Sequence, residues 1–406
     1  MYRRIRDIAE EAREDAVRIT QQLVQIPSFW LHEGKLADRV QNLFEEMNYD
    51  LVFRDAAGNV IGIMVGGEDG PAVLLNSHMD TVRPATDWDE SPFSGEIREG
   101  RLYGVGAADC KSGIVTQILA GRVLNESRLP LRGTLVVAMT VAEENGCSAG
   151  TRHLLDVTLP KLGIEPGLAI LGEPTSLAVC NGHDGWVDID INLEGARKGD
   201  VRHATGLIVK YLRDAGPAHK NKNGIEVIRI EQHSPCDEYE STEAIIRVRH
   251  RVKIGETAEE CLAWVQRKVI SAIKILDRMP FSVHVRRERQ TMYTGFSMDV
   301  AFQTNPWTTH PLVPTVDKAH TALAAAGLGD VPVRKWSLNH LGMGTSGSKL
   351  VDDFKIPTVG FGPGDESSAH AGGEHVDTDK LVDAVYGTAV LTHSVIGVPL
   401  YGWVAD

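Results

Sequence analysis

Acidic and histidine side chains stand where several apolar runs of the chain come to an end. The run "LLNSHMD" ends with His78 and Asp80, "TLVVAMTVAEE" ends with Glu143 and Glu144, and "LAILGEPT" contains Glu173. Each apolar run predicts a buried strand, and a charge beside a buried strand is tolerated when it is paired or binds a metal ion. Adjacent residues of a regular strand point to opposite faces, so the two glutamates reach one site only if the strand ends before them.

Two further candidates come from loops. Asp109 follows the glycine-rich stretch "GVGAAD" and precedes a predicted helix, and His370 lies in "GFGPGDESSAH". In open α/β sheets, binding sites form beyond the carboxyl ends of the strands, where side chains from separate segments can meet. Two histidines and several carboxylates, without a thiolate, suit two divalent metal ions, with zinc as the first choice and cobalt or manganese as alternatives.

The segments that must position these residues alternate between helix and strand signals. An amphipathic helix is predicted up to about Gln25 and another from Gly34 to Met47. Strands such as "AVLLNSHMD" and "LAILGEP" are nearly continuous apolar runs. Such strands with helices between them predict an α/β fold, in which a mostly parallel sheet is covered by helices on both faces.

The middle of the chain has a different pattern. Alternating segments such as "GWVDIDINLEG" and "EAIIRVRHRVKI" are interleaved with two helical patterns, and the order β-α-β-β-α-β is typical of a ferredoxin-like α+β unit. The alternation predicts a sheet with one solvated face. We therefore expect an outer domain made of residues 1–184 and 295–406, with a domain inserted at 185–294.

Composition and charge exclude some classes of protein. The 406 residues carry a formal net charge of -13 and a pI near 5.6, which argues against a surface for nucleic acid or anionic membranes. The N-terminal stretch lacks the apolar region of a signal peptide, and no stretch approaches a membrane span. The five cysteines are scattered and odd in number, which predicts reduced thiols and a cytoplasmic protein.

Five short motifs resemble the two-metal aminoacylase/carboxypeptidase family, which includes acetylornithine deacetylase, succinyl-diaminopimelate desuccinylase and the glutamate-releasing carboxypeptidase. They are "HMD", "GAADCKSG", the adjacent glutamates, "GEPT" and the closing "AHAGGE", with the β-α-β-β-α-β segment between the fourth and the fifth. Each motif alone is weak, but five in this order over nearly the whole chain are a strong signal. The resemblance implies a zinc-peptidase-like catalytic domain with an inserted lid and dimerisation domain.

The resemblance also implies how the candidate ligands are shared between two metal ions. His78 and Glu173 would hold one ion, and Glu144 and His370 would hold the other. Asp109 would bridge both.

Two more carboxylates complete the implied site. Asp80 would orient the imidazole of His78 from behind. Glu143 would be the general base, which accepts a proton from the attacking water. The family also has a cis peptide bond after the bridging aspartate, so we expect one between Asp109 and Cys110.

The chain departs from the family at the first turn of the inserted domain. Family members usually carry a histidine there that contacts the scissile carbonyl, followed by a proline and an asparagine-alanine pair. Here the stretch reads "EGARKGDVRHATG", and its histidine, His203, is out of register. We therefore expect a substrate other than an ordinary peptide.

Substrate contacts are expected from the inserted domain and from the loop "NHLGMGTSGSKL". Arg251 is the nearest match to the arginine that binds the substrate carboxylate in the family. His183, near the expected hinge, and Asn339, in the loop, are added as substrate-binding candidates. Three loop amides could bind an anion at a helix N-terminus, namely those of Thr345, Ser346 and Gly347.

These observations predict a metal-dependent hydrolase of a carbon–nitrogen bond in a small carboxylate-bearing substrate, such as an N-acyl amino acid or a dipeptide-like amide. One alternative is an aminohydrolase that releases ammonia from an unusual, for instance aromatic, substrate, and another is a binding protein without catalysis. Because edge strands are pairing surfaces and relatives commonly pair through the inserted domain, we expect a homodimer or a higher homo-oligomer. Neither nucleic acid nor a membrane is expected as a partner.

Overall fold

The computed structural model describes residues 1–88, 91–144, 147–195, 197–214, 224–233, 242–274, 279–310, 312–329, 331–337 and 343–398 of the chain. The α-helices are α1 (Tyr2–Glu11), α2 (Arg13–Val24), α3 (Gly34–Glu46), α4 (Ser112–Ser127), α5 (Ala149–His153), α6 (Leu159–Lys161), α7 (Lys198–Asp214), α8 (Ala258–Ile273), α9 (Pro314–Ala325) and α10 (Thr378–Ile396). Wider helical turns lie at Leu154–Thr158 and Ser348–Asp353, whereas the segment Ala107–Lys111 is kinked, with non-helical backbone angles at Asp109 and Cys110.

The strands belong to one large sheet, one smaller sheet and several short ladders. They are β1 (Leu51–Arg54), β2 (Val60–Val65), β3 (Glu68–His78), β4 (Ile97–Arg98), β5 (Arg101–Tyr103), β6 (Arg132–Thr140), β7 (Pro166–Leu171), β8 (Val179–Cys180), β9 (Gly182–His183), β10 (Gly185–Gly195), β11 (Ile225–His233), β12 (Thr242–Val252), β13 (Phe281–Val285), β14 (Arg287–Thr291), β15 (Ser297–Ala301), β16 (Gln303–Thr304), β17 (Trp307–Thr308), β18 (Val333–Arg334), β19 (Thr358–Gly360) and β20 (His375–Asp377).

The large sheet has the strand order β1-β2-β6-β3-β7-β19-β8-β18 among the described residues. Its centre, from β6 through β3 and β7 to β19, is parallel, and β2 and β1 extend it in the antiparallel sense. Because parallel strands share one carboxyl edge, the chain leaves β3 at His78, β6 at Thr140 and β7 at Leu171 on the same side of the molecule.

Both faces of the large sheet are covered, which explains why its strands read as unbroken apolar runs. Val73 and Leu75 on β3 belong to a core cluster that includes residues of α4 and α10. Leu74, between them, points to the other face and belongs to a second cluster with Leu154 and Leu155. The side chains of Val73, Leu74 and Leu75 are fully buried, and burial of each stabilises the fold by about 1.5–3 kcal/mol.

The inserted segment has the predicted order β10-α7-β11-β12-α8-β13. Its antiparallel sheet runs β11-β12-β10-β13, and the inward residues Val187, Ile189 and Ile191 of β10 form a separate core with residues of α7 and α8. The hairpin of β14 and β15 spans the expected domain boundary at residue 294, and β16 pairs with β10, so this sheet draws on both sides of that boundary.

The expected fold class is confirmed: a mostly parallel sheet with helices on both faces accompanies an α+β insertion. The first helical segment is broken at Ala12 into α1 and α2, which the sequence pattern did not separate. Searched over the described residues, the structure contains no helix with the length and apolar character needed to cross a membrane.

Candidate metal centre

The bridging candidate Asp109 lies between the two candidate histidines. Its Oδ1 is 3.0 Å from Nε2 of His78, and its Oδ2 is 3.4 Å from Nε2 of His370. Glu173 approaches His78 at 3.8 Å, and Glu144 approaches His370 at 2.9 Å. One carboxylate therefore faces two histidine-carboxylate pairs, each from separate segments of the chain.

Two sets of possible ligand atoms result, and within each set all atoms lie within 4.8 Å of one another. The first set contains His78, Asp109 and Glu173, and the second contains Asp109, Glu144 and His370. The structure thus brings together the five side chains expected to hold metal ions, in the pairing expected of them.

Cys110 also lies within the first set, but its sulfur atom is engaged elsewhere. The backbone N–H of His78 donates a hydrogen bond to Cys110 Sγ at 3.2 Å. Burial raises the pKa of the Cys110 thiol to about 12, which disfavours the thiolate that a metal ion would bind. The peptide bond between Asp109 and Cys110 is cis, as expected.

The electrostatics of the centre fit a divalent cation. Burial raises the pKa of Glu173 to about 7, and the neighbouring Glu144 raises the pKa of His370 to about 12 against the opposing effect of burial. Both raised pKa values mean that the group holds a proton more readily, so each indicates a site that favours additional positive charge. Among the described residues, the buried Nε2 of His370 also has no hydrogen-bond partner of suitable geometry. A metal ion would satisfy this nitrogen and neutralise the carboxylates.

The turn that carries Glu143 and Glu144 leaves strand geometry, as the sequence requires. β6 ends at Thr140, and Ala142 has a left-handed backbone with φ of 54°. Glu143 is buried, and its Oε1 accepts a hydrogen bond from Ser148 Oγ at 3.2 Å. Burial raises the pKa of Glu143 well above its ordinary value, a direction suited to a proton acceptor that works near neutral pH.

Asp80 has a different role from the one expected. Its carboxylate does not bond the ring of His78, since Oδ1 is 3.8 Å from Nδ1, which instead lies 2.9 Å from the backbone carbonyl of Asp80. The carboxylate accepts the backbone N–H groups of Glu143, at 2.9 and 3.0 Å, and of Glu144, at 2.8 Å. Asp80 therefore fixes the turn of the two glutamates and orients His78 through its main chain.

Glu374, which the sequence analysis did not single out, supports the bridging aspartate. It is buried, and its Oε1 accepts the backbone N–H groups of Ala108 and Asp109, both at 3.0 Å. Glu374 closes the "AHAGGE" motif four residues after His370. Glu374 therefore links the segment of His370 to the loop of Asp109. Its place in the motif was the signal from which a role at the metal centre could have been predicted.

The expected anion site in the loop after residue 342 stays a prediction, and two of its three amides are engaged within the protein. The amide of Thr345 donates to His183 Nε2 at 3.0 Å, and the amide of Gly347 donates to Thr345 Oγ1 at 3.2 Å. Ser346 Oγ lies 2.8 Å from Thr151 Oγ1, so its side chain also faces the protein. The loop uses these two amides and the Ser346 hydroxyl to hold its own shape.

His183 is likewise a structural group, which corrects its assignment to substrate binding. Its ring is fully buried, its Nδ1 lies 2.7 Å from the carbonyl of Asp184, and its Nε2 also accepts the indole N–H of Trp307 at 2.8 Å. Burial lowers the pKa of His183 to about 4, so the ring is neutral. It ties β9 at the hinge to the Thr345 loop.

The remaining substrate candidates lie apart from these contacts. Arg251, on β12, has its Nη1 3.5 Å from Oδ2 of Asp184, which directly precedes the inserted domain. His203 is exposed on α7. Asn339 lies outside the described residues. A carboxylate-binding role for Arg251 therefore stays a prediction.

Comparison with known proteins agrees with the geometry. Residues 74–395 match the sequence profile of Peptidase family M20/M25/M40. The uncharacterized protein YgeY of Escherichia coli K12 is 25% identical over 400 residues, covering 94% of each chain. A succinyl-diaminopimelate desuccinylase of Novosphingobium aromaticivorans is 27% identical over 278 residues, covering 62% of this chain and 72% of its own.

A solved structure shares the fold. The YXEP protein of Bacillus subtilis, described as a dinuclear metal-binding peptidase of the M20 family, superposes with a TM-score of 0.68 at 16% identity. The superposition covers 95% of this chain and 99% of that one, so it includes both the large sheet and the insertion.

Proposed function

Because this chain belongs to Peptidase family M20/M25/M40 and is therefore a metal-dependent hydrolase of amide bonds, we propose that its substrate is a small, carboxylate-bearing N-acyl amino acid or dipeptide-like amide. The name of the Novosphingobium relative, a desuccinylase of succinyl-diaminopimelate, designates a substrate of this class. The main support for the proposal is that the candidate ligands meet at one edge of the large sheet, with the carboxylate of Glu143 close enough to interact electrostatically with His78, Glu173 and Glu144.

The donor set supports two divalent ions, with zinc as the first choice. His78 and Glu173 would hold one and Glu144 and His370 the other, with Asp109 between them. Bound there, two such ions would polarise the substrate carbonyl and lower the pKa of a shared water.

The chain itself supplies proton transfer and orientation. Glu143 accepts a proton from the attacking water and delivers it to the leaving nitrogen as the carbon–nitrogen bond breaks. Ser148 holds one oxygen of that carboxylate, and Asp80 fixes its backbone. The reaction is then amide hydrolysis, which releases an amine and a carboxylic acid.

The competing function is an aminohydrolase that releases ammonia. One observation favours it: the histidine that relatives use against the scissile carbonyl has no counterpart in register, and His203 is exposed on α7. An aromatic amine has no scissile amide carbonyl for such a histidine to contact.

One assay separates the two functions. Protein stripped by a chelator is reloaded with zinc, cobalt or manganese and given N-succinyl and N-acetyl amino acids, dipeptides and aminobenzoates, while free amine and ammonia are both measured. Amine without ammonia supports the proposal, and ammonia alone supports the aminohydrolase. Failure of every metal to give turnover above a Glu143→Gln control contradicts both.

We also propose that the protein forms a homodimer through the inserted domain. β11 is the edge strand of its sheet, and Ile228 and Ile230 on it are 38% and 46% exposed. An antiparallel edge strand can pair with its own copy about a twofold axis, which would cover these side chains. Sedimentation at micromolar concentration tests this, with Ile230→Lys expected to shift the protein toward the monomer.

We propose a cytoplasmic location because the four cysteines in the described part of the chain form no disulfide with one another. These cysteines, Cys110, Cys147, Cys180 and Cys261, are also buried. Buried thiols outside disulfides are usual in a reducing compartment. Fractionation of the host cell, with the protein detected by antibody, tests the proposal.

A further inference from the structure

The turn that carries the two glutamates is held by side chains from three distant segments. Its four consecutive amides, Val141 to Glu144, all donate to side-chain oxygens. Val141 donates to Asn59 Oδ1 at 3.1 Å and Ala142 to Glu33 Oε1 at 3.1 Å, while Asp80 accepts the other two. Asn59, Glu33 and Asp80 are each fully buried.

Among the three side chains that hold the turn, Glu33 is a buried carboxyl group to which the proposed mechanism assigns no role. It directly precedes α3, and its Oε1 also accepts the N–H of Leu31 at 3.1 Å. Its Oε2 is buried and has no hydrogen-bond partner among the described residues. A buried carboxyl group with an unpartnered oxygen destabilises a fold, so its retention calls for a reason other than stability.

We propose that Glu33 is a positioning residue, which fixes the backbone of Ala142 and thereby aims Glu143 and Glu144 into the metal centre. The inference rests on the proposed function, because that function gives the two glutamates their roles. The left-handed conformation of Ala142, with φ of 54°, is unfavourable for a residue with a Cβ atom and persists only where surrounding contacts impose it. The backbone N–H of Ala142 donates its hydrogen bond to Glu33, so Glu33 is the side chain that holds this amide in place.

The protonation of Glu33 suggests the substitution that should preserve its role. Burial, and then the nearby Asp80, raise the pKa of Glu33 to about 8, so the carboxyl group is largely neutral at pH 7. A glutamine has the shape of a neutral glutamic acid and keeps the accepting oxygen. A methionine has nearly the same length and volume but accepts no such bond.

Glu33→Gln and Glu33→Met therefore form a matched pair, with Glu45→Ala on the exposed end of α3 as a control. We expect Glu33→Met to weaken metal binding or to lower kcat by about 10–100-fold, the cost of losing an outer partner of a metal ligand. KM should change less than kcat, because Glu143 acts as a base in the chemical step. Glu33→Gln and Glu45→Ala should behave like the wild type.

Hydrogen exchange of the peptide that contains residues 141–144 gives a readout independent of metal and substrate. Faster exchange there in Glu33→Met, with other peptides unchanged and the thermal midpoint close to that of Glu33→Gln, supports the proposal. Equal exchange and equal metal affinity in the two variants overturns it. If the wild type hydrolysed none of the amides tested, the proposed function would fail, while the exchange comparison would still decide the role of Glu33.

Discussion

Buried carboxylates occur in two regions of this molecule, and the two regions neutralise them differently. In the inserted sheet, the fully buried Asp188 accepts Arg249 Nε at 2.7 Å and Arg249 Nη2 at 3.0 Å, and Arg286 lies 3.4 Å away. Asp190 accepts a similar pair of bonds from Arg247, at 2.7 and 3.0 Å. Each of these two buried aspartates therefore has a permanent cation from the chain itself.

At the edge of the large sheet, the buried carboxylates of the candidate metal centre have no arginine or lysine paired with them among the described residues. There the described structure sets two histidines, His78 and His370, against a larger group of buried or partly buried carboxylates, namely Asp80, Asp109, Glu143, Glu144 and Glu173. Histidines are neutral at neutral pH unless carboxylates hold their protons, whereas arginines stay charged. The two buried aspartates of the inserted sheet are thus neutralised by arginines of the chain, while the carboxylates of the centre depend on cations from solution.

The largest effect is expected from the carboxylate shared by both metal positions. Asp109→Asn should lower the metal content and reduce turnover to the background of the assay, because both sets of ligands include this residue. Metal analysis of the purified variant, alongside Asp188→Asn, checks this. Metal content equal to that of the wild type would contradict the assignment of Asp109 as the bridge.

The next effect separates proton transfer from metal binding. Glu143→Gln should keep its metal ions and lower kcat by about 10²–10⁴-fold, since it removes a general base and leaves the ligands in place. Kinetics and metal analysis on the same preparation measure both. Turnover within a few-fold of the wild type would assign the base to another residue.

The inserted sheet should respond in stability rather than in metal binding. Asp188→Ala leaves Arg249 without its partner, so we expect a loss of about 3–5 kcal/mol in the free energy of unfolding with metal affinity unchanged. Denaturant unfolding and metal titration test the two halves. A large loss of metal affinity would show that the two regions are not independent.

The smallest effect concerns metal removal. Ions at one hundred times their dissociation constant should stabilise the folded protein by about 2.7 kcal/mol relative to chelated protein, and Asp109→Asn should lose this increment. Thermal melts with and without chelator provide the measurement, and Asp190→Asn is the control from the inserted sheet. An equal increment in both variants would place the stabilising ions elsewhere.

Much of this arrangement could be predicted from the sequence because its signals are local. Apolar runs ending in His78 or Glu173 identified strands and their carboxyl ends, and the order of elements identified the insertion. The expected departure from strand geometry before Glu143 also agrees with the structure, which ends β6 at Thr140.

What could not be predicted depends on contacts between segments far apart in the chain. Glu33 and Asn59 accept amides more than 80 residues away, and no local pattern indicates that. The contacts of His183 could not be predicted either, because its partners, Trp307 and Thr345, follow it by more than 120 residues. A lone polar residue in a loop has the same appearance whether it binds a substrate or a backbone amide.

The separate core of the inserted sheet has a consequence for how such a protein can diversify. Val187, Ile189 and Ile191 pack against α7 and α8 rather than against the large sheet, so the insertion closes on itself. Replacements within the insertion can therefore leave undisturbed the core of the large sheet that positions the candidate ligands. The two parts of the gene can thus accumulate changes largely independently.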